Sequence, residues 1–213
     1  MRGEYMDKGL LFVISGPSGT GKGTICKQLV KITDISMSVS ETTRAPRDGE
    51  IQGKNYFFVT KEEFQNKIQE DGFIEYAEVY GNYYGTPKQF IIEKLESGQD
   101  VVLEIDFQGA LQVKAKFPNG IFIFILPPSM KELKHRIVKR GSESEKSFTE
   151  RFNNALKEIS YIDKYDYCVI NDEVDSAVTK VKTIIEAEHY KVTEEIYNQI
   201  YKYKEELLCS THR

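Results

Sequence analysis

The chain of 213 residues is 40% hydrophobic and 29% charged, which suits a single globular domain whose core can support folding without disulfides. Its formal net charge of −4 gives no general attraction to nucleic acid or to an anionic membrane, so a polyanionic ligand would need locally placed cations. No apolar run is long enough to span a bilayer, and the three cysteines form no C-x-x-C pair. We therefore expect a cytoplasmic protein with small-molecule partners, either a monomer or a homo-oligomer.

The predicted elements alternate between buried strands and helices along most of the chain. Continuous apolar runs are typical of strands covered on both faces, and they occur at 10–15, 101–106, 121–126 and 166–172. Helical patterns occur at 88–97, 107–116, 129–140, 146–160 and 174–207. This alternation predicts a doubly wound α/β fold with a parallel sheet.

Two segments interrupt the alternation. Residues 39–86 are aromatic, partly alternating and broken by glycines, which favours a small antiparallel or mixed sheet. Residues 140–147 form a polar break between two helical patterns. We predict one domain, 1–213, with inserts at 38–95 and 131–155 and a core made of 1–37, 96–130 and 156–213.

The stretch ISGPSGTGKGT, residues 14–24, joins the first predicted strand to a helix. Its glycines let successive N–H groups converge on an anion, to which the helix N-terminus adds its positive end. Lys22 supplies a cation for the β and γ phosphates. The alternative is a glycine-rich turn with a surface lysine, but the order of strand, loop and helix favours a nucleotide site, which we assign to Gly16, Pro17, Ser18, Gly19, Thr20, Gly21, Lys22, Gly23 and Thr24.

The residue after the lysine departs from the usual phosphate-loop pattern, which requires Ser or Thr there to place a hydroxyl on Mg²⁺. Gly23 occupies this position, and the hydroxyl comes one residue later at Thr24. Phosphate binding is unaffected by this change, but residue 23 has no side chain with which to coordinate the metal.

Charged side chains elsewhere are open to two interpretations. Arg44 and Arg47 are close enough in sequence to converge on one phosphate, although solvated arginines are the better explanation without further context. Glu104 and Asp106 end a predicted strand at the edge where α/β sheets bind ligands, and both are expected on the same side of the sheet. They can orient metal-bound water or contact an acceptor, or simply emerge into solvent. Arg136 and Arg140 are one turn apart on one predicted helix face. A solvated helix surface explains this pattern as well as a binding role does.

A family resemblance decides between these interpretations. SVSETTRAPRDGEIQGKNYFFVT, residues 38–60, resembles the guanylate kinase signature that runs from a serine through TTR-x-PR-x-GE to a tyrosine, and FIEYAEVYGNYYGTP, residues 73–87, resembles that family's guanine-binding stretch. The phosphate loop, VVLEIDFQGA, the RG-x-ES segment and YDYCVIND extend the similarity over nearly the whole chain, in the family's order. The resemblance implies a P-loop nucleoside monophosphate kinase with a GMP-binding insert and a helical lid.

The resemblance also implies individual roles. Residues that match Ser40, Glu75 and Thr86 contact guanine, and those that match Arg44, Arg47, Tyr56 and Tyr84 hold the GMP phosphate; packing alone would also explain the two tyrosines. Glu104 and Asp106 belong to the acceptor side, with their separate roles left open. Arg136, Arg140 and Arg151 act from the lid with Lys22 and Arg47, while Asn171 and Asp172 border the adenine. Mg²⁺ enters as Mg-ATP, bound through water, the nucleotides and Asp106.

Two other functions account for part of the sequence. A kinase for another small phosphate, such as a ribose bisphosphate, would have no use for Ser40, Glu75 and Thr86. A non-catalytic guanylate-kinase-like module that binds phosphopeptides typically lacks a competent ATP loop and lid arginines, both of which are intact here. The sequence therefore favours an enzyme that converts ATP and GMP to ADP and GDP.

Overall fold

A computed structural model of the chain describes residues 8–79, 81–139 and 145–210, without the side chains of 139, 145–151, 194–195 and 208–210. In chain order its elements are β1 (Leu11–Ser15), α1 (Lys22–Ile32), β2 (Ser36–Met37), β3 (Glu41–Thr42), β4 (Phe57–Phe58), α2 (Lys61–Gln69), β5 (Phe73–Val79), β6 (Asn82–Pro87), α3 (Lys88–Glu96), β7 (Val101–Glu104), α4 (Phe107–Lys116), β8 (Ile121–Leu126), α5 (Met130–Lys139), α6 (Glu145–Ile159), a 3₁₀ turn (Ile162–Lys164), β9 (Tyr167–Ile170), α7 (Val174–Glu188) and α8 (Glu194–Ser210).

A five-stranded parallel sheet with the strand order β2-β7-β1-β8-β9 forms the centre of the fold. Every residue of β1 is buried, as its unbroken apolar sequence requires in a sheet covered on both faces. Strands occur at all four predicted positions, and β1, β7 and β8 are buried as expected. The fourth, β9, lies at the edge of the sheet and buries only Val169, so the prediction that it is a buried strand was wrong. The edge strand β2 was missed because it is two residues long and has no apolar run of its own.

The first insert contains a second sheet, with the strand order β4-β3-β6-β5. Its β3–β4 pair is parallel and its other pairs are antiparallel, so the predicted small mixed sheet is confirmed. Helix α2 was not predicted, although its start has a capping box. Thr60 accepts a hydrogen bond from the Glu63 N–H at 3.1 Å, and Glu63 accepts one from the Thr60 N–H at 2.7 Å.

Two boundary predictions were wrong. The strand predicted over 101–106 ends at Glu104, and Asp106 is the N-cap of α4, so the strand-based argument that both carboxylates face one side of the sheet does not apply. The helix predicted over 174–207 is divided into α7 and α8. The intervening segment contains two β-branched residues, Val192 and Thr193, of which threonine favours a helix start.

The chain divides into two compact units, one that runs to Val181 and one that comprises Lys182–Arg213. The first contains both sheets, and the second contains the end of α7 and all of α8. Among the described residues, no helix is both long enough and apolar enough to cross a membrane.

Candidate active site

The phosphate loop follows β1 and uses glycine where other residues would be strained. Gly16, Gly19 and Gly21 have φ angles of 137°, 90° and 90°, in the left-handed region that favours glycine. A Cβ atom on Gly21 would also lie 2.5 Å from Nδ2 of Asn171, so this position has no room for a side chain. Gly23 was expected to take part in the curl of the loop, but it lies within the first turn of α1.

The ammonium group of Lys22 lies inside the loop. It donates hydrogen bonds to the carbonyl oxygens of Gly16 and Pro17, the second at 3.1 Å. Burial lowers the pKa of Lys22, while the nearby carboxylates of Glu104 and Glu158 act in the opposite direction. The loop thus holds a largely desolvated cation next to carboxylates.

Glu104 and Asp106 link this loop to the insert. Glu104 lies beside Gly23 and interacts electrostatically with both Lys22 and Tyr56. Asp106 accepts a hydrogen bond from the Gly109 N–H at 2.8 Å and interacts with both Lys22 and Glu75. The two carboxylates are therefore close enough to influence both the predicted donor residues and the predicted acceptor residues electrostatically.

The three residues expected to contact guanine lie together in the insert. Thr86 donates a hydrogen bond to Glu75 Oε1 at 2.5 Å, and its hydroxyl lies 3.5 Å from that of Ser40. Glu75 and Thr86 face each other across β5 and β6 and are 4% and 0% exposed. Burial raises the pKa of Glu75 to about 7, with Asp106 adding to the effect and the Thr86 hydrogen bond opposing it.

The residues expected to hold the acceptor phosphate also lie close together. The guanidinium of Arg44 lies 5.6 Å from the centre of the Tyr56 ring, and that ring makes an edge contact with Tyr84 at a centroid distance of 5.9 Å. The side chain of Arg47 is exposed. Glu50, which sequence reasoning missed, binds Arg44 Nη2 through both carboxylate oxygens at 2.9 and 3.0 Å and accepts from the Arg47 N–H at 2.8 Å. Its position in the GE pair of the family signature was the available signal.

The predicted lid is described only in part. Arg136 on α5 binds Glu132 Oε1 at 2.9 Å and donates to the carbonyl oxygens of Asn171 and Asp172 at 3.1 and 3.4 Å. It therefore connects α5 to the residues that follow β9. Arg140 and the side chain of Arg151 lie outside the described part of the chain, and their roles stay predictions.

Asn171 lies against the phosphate loop. Its side chain is 1% exposed and donates through Nδ2 to the carbonyl oxygen of Thr20 at 2.7 Å, whereas Asp172 is exposed. This contact helps to hold the loop in place. The predicted position of both residues beside the adenine stays a prediction.

Glu158 is a second residue that sequence reasoning missed. It lies on the same face of α6 as Ala155, which packs with Leu133 and Ile137 of α5. Shortly after it, Tyr161 stacks on Phe107 at a centroid distance of 5.0 Å. Burial raises the pKa of Glu158 to about 7; Lys22 opposes this shift and Asp106 adds to it. The helical spacing of 155, 158 and 161 was the signal that could have placed it towards the site.

Comparisons with known proteins agree with this geometry. A family model described as guanylate kinase matches residues 8–188. A guanylate kinase from Clostridium tetani is 63% identical over 187 residues, which cover 88% of this chain and 90% of that protein. Another from Clostridioides difficile is 53% identical over 204 residues, covering 95% of this chain and all of that protein.

A solved structure leads to the same family. The crystal structure of guanylate kinase from Anaplasma phagocytophilum is 35% identical and superposes with a TM-score of 0.74, over 87% of this chain and 89% of the other. The residues that the family model matches, 8–188, include both sheets, the phosphate loop and the Ser40, Glu75 and Thr86 cluster. The chain therefore belongs to the guanylate kinase family.

Proposed function

We propose that the protein transfers the γ-phosphoryl group of ATP to GMP, yielding ADP and GDP. The observation that supports this most strongly is the hydrogen-bonded cluster of Ser40, Thr86 and Glu75, which is linked to the phosphate loop through Asp106. We therefore assign the base site and the triphosphate site to the two groups of residues that interact with Glu104 and Asp106.

The cluster is chemically suited to guanine. Guanine presents two adjacent donors, N1–H and the 2-amino group, and an ionised carboxylate can accept from both. We assign this contact to Glu75, with Ser40 and Thr86 completing the base site. Adenine has an acceptor at N1 and no 2-amino group, so it would leave the buried carboxylate unsatisfied.

The acceptor phosphate is assigned to the cationic and phenolic groups of Arg44, Arg47, Tyr56 and Tyr84. Arginine offers a planar fork of donors that matches phosphate oxygens, and Tyr56 and Tyr84 are in contact with each other beside Arg44. In this arrangement the insert at 38–95 is the acceptor-binding part of the domain.

Lys22 and the loop N–H groups are assigned to the ATP phosphates, with Arg136, Arg140 and Arg151 from the lid at 131–155. Phosphoryl transfer depends mainly on positioning and on the neutralisation of charge. Closure of the lid would exclude the water that otherwise hydrolyses ATP. Asn171 and Asp172 are assigned to the border of the adenine site.

The residues beside the loop fit Mg²⁺ that arrives with ATP. Glu104 and Asp106 offer the oxygen ligands that Mg²⁺ prefers, and no cluster of three or more metal-binding side chains occurs within the described ranges. A pair of carboxylates would leave most of the six coordination positions of Mg²⁺ to water and the nucleotides. When bound, Mg²⁺ would neutralise part of the phosphate charge; Lys22 and the loop N–H groups hold and orient the same phosphates.

A coupled assay of ADP release with a panel of nucleoside monophosphates tests the proposal. We expect rapid turnover with GMP and little with AMP, CMP or UMP. The matched control is Lys22→Met, which keeps the length of the side chain but removes its charge, and should lower kcat by orders of magnitude because charge stabilisation in phosphoryl transfer is large. GMP binding without ADP release would instead support the non-catalytic module.

A further inference from the structure

One face of α4 is hydrogen-bonded to strand β5, which contains Glu75, the carboxylate assigned to guanine. Gln112 accepts a hydrogen bond from the Tyr76 N–H at 3.2 Å and donates one to the Tyr76 carbonyl oxygen at 2.7 Å. One turn further along, Lys116 donates to the carbonyl oxygen of Phe73 at 3.3 Å. These contacts flank Glu75 on both sides, so the distance between α4 and β5 determines the position of Glu75.

Gly109 is the residue of α4 that faces Glu75 directly. A Cβ atom at this position would lie 2.5 Å from Glu75 Oε2, 3.0 Å from Cδ and 3.4 Å from Cγ. The first distance is far inside van der Waals contact. The backbone of Gly109 is helical rather than left-handed, so the absence of a side chain is explained by this contact and not by the conformation of the chain.

Neither side of the contact can easily move away. Glu75 is 4% exposed, and Thr86 holds its other oxygen, Oε1. On the helix side, the Gly109 N–H is bound by the N-cap residue Asp106 at 2.8 Å. A retreat of the helix would therefore disturb Asp106, whereas a retreat of the carboxylate would break its bond with Thr86.

We propose that Gly109 is a positioning residue that sets the base specificity of the acceptor site. Its α-carbon forms the surface that the Glu75 carboxylate contacts, and its N–H orients Asp106. This single residue therefore sets the positions of both the Glu75 and the Asp106 carboxylates. This inference rests on the proposed assignment of Glu75 to guanine. The further claim is that the preference for guanine requires a residue without a side chain at position 109 of α4.

The test is the variant Gly109→Ala, assayed with GMP and with IMP, which lacks only the 2-amino group. The added methyl group displaces Glu75, so KM for GMP should rise by about tenfold or more, as expected for loss of hydrogen bonds to a charged group. The preference for GMP over IMP should narrow, while KM for ATP stays near its original value. Gln108→Ala, an exposed change in the same helical turn, is the matched control and should leave all three quantities within about twofold, as surface changes usually do.

Shortening the carboxylate gives an independent measurement. Glu75→Asp withdraws the carboxyl group from Gly109, so adding Gly109→Ala to this variant should change the GMP constants little. If the effects of the two substitutions multiply, Gly109 does not act through Glu75 and the inference is overturned. If Gly109→Ala alone fails to fold, a folded double variant with the kinetics of Glu75→Asp supports the inference, and a double variant that also fails to fold overturns it.

The outcome is separable from that of the proposed function. Absence of GMP turnover in the unmodified protein would refute the phosphotransferase assignment, and calorimetric titration with GMP would still test Gly109. If the unmodified protein phosphorylates GMP but Gly109→Ala retains its GMP constants and its preference over IMP, only the inference about Gly109 fails.

Discussion

Gly23 lies so close to Glu104 that a Cβ atom at residue 23 would be 3.1 Å from both carboxylate oxygens. The side chain of Glu104 thus occupies the space beside the loop that a Ser or Thr at this position would need. Thr24, one residue later, is exposed. The departure from the usual phosphate-loop pattern is therefore matched by a carboxylate supplied from the neighbouring strand β7.

The first prediction concerns this contact. Gly23→Ser adds atoms that would push the Glu104 carboxylate away from the loop, so kcat should fall by about tenfold and half-maximal activity should need more Mg²⁺, as small displacements in an active site are costly. A magnesium titration of initial rates measures both effects. Lys27→Ala, an exposed change on the same helix, is the control. Unchanged kcat and magnesium dependence in Gly23→Ser would show that the position of Glu104 is unimportant.

The second prediction is that Glu75→Gln weakens the discrimination between GMP and AMP at the acceptor site. Glutamine keeps the size of the side chain but replaces one acceptor oxygen with an NH₂ donor, which opposes the donors of guanine and suits adenine N1. We expect kcat/KM for GMP to fall by about a hundredfold and the preference for GMP over AMP to narrow. Steady-state rates with both nucleotides measure this. A variant that kept its full preference would exclude Glu75 as the base reader.

The third prediction is a pH dependence of GMP binding. Burial raises the pKa of Glu75 to about 7, and only the ionised form accepts both guanine donors. Below this pH the GMP dissociation constant should rise by about tenfold per unit, and above it the constant should level off. Calorimetric titrations between pH 5.5 and 8.5 measure the profile, and Glu75→Gln should lack this transition. A flat profile in the unmodified protein would contradict the assignment.

The raised pKa of Glu75 also makes the free energy of unfolding depend on pH. The pKa of Glu75 is higher in the folded protein than its ordinary value of 4.5. The stability contributed by this group is therefore complete below about pH 4.5 and is lost as the pH rises towards 7. At pH 8, Glu75→Gln should thus unfold at a higher temperature than the unmodified protein.

The fourth prediction assigns Glu158 to the charge state of Lys22. Ionised Glu158 raises the pKa of Lys22, together with Glu104 and Asp106, against the lowering caused by burial. In Glu158→Gln the lysine should lose its proton at lower pH, so the alkaline limb of the kcat profile should shift downward by about half a unit or more. Asn154→Ala, an exposed change on the same helix, is the control. An alkaline limb that does not move would show that Glu158 leaves Lys22 unaffected.

Four strands of the parallel sheet were predictable from their apolar runs, whereas β2 has only two residues and no such run. The resemblance was needed to group Ser40, Glu75 and Thr86, since no periodicity relates residues so far apart in the chain. Helix α2 was predictable in principle from the capping box at Thr60 and Glu63. The division between α7 and α8 was missed because apolar residues continue on both sides of the break.

The positions of Gly109 and Glu158 could not be predicted in the same way. The role of Gly109 in α4 depends on its distance from the Glu75 side chain in the second sheet, which a sequence without coordinates does not specify. Glu158 approaches Lys22 because Tyr161 stacks on Phe107 and Ala155 packs on α5. These are tertiary contacts, so the local pattern reveals only which face of the helix is involved.

The ion pair between Arg44 and Glu50 holds in one position a side chain that would otherwise be flexible. Arg44 is held by both oxygens of Glu50 and lies over the ring of Tyr56. Immobilising such a side chain on binding normally costs about 0.5–1.5 kcal/mol of conformational entropy. Because the contacts with Glu50 and Tyr56 have already ordered the guanidinium, the proposed binding of the acceptor phosphate to Arg44 would be opposed less by the loss of side-chain entropy.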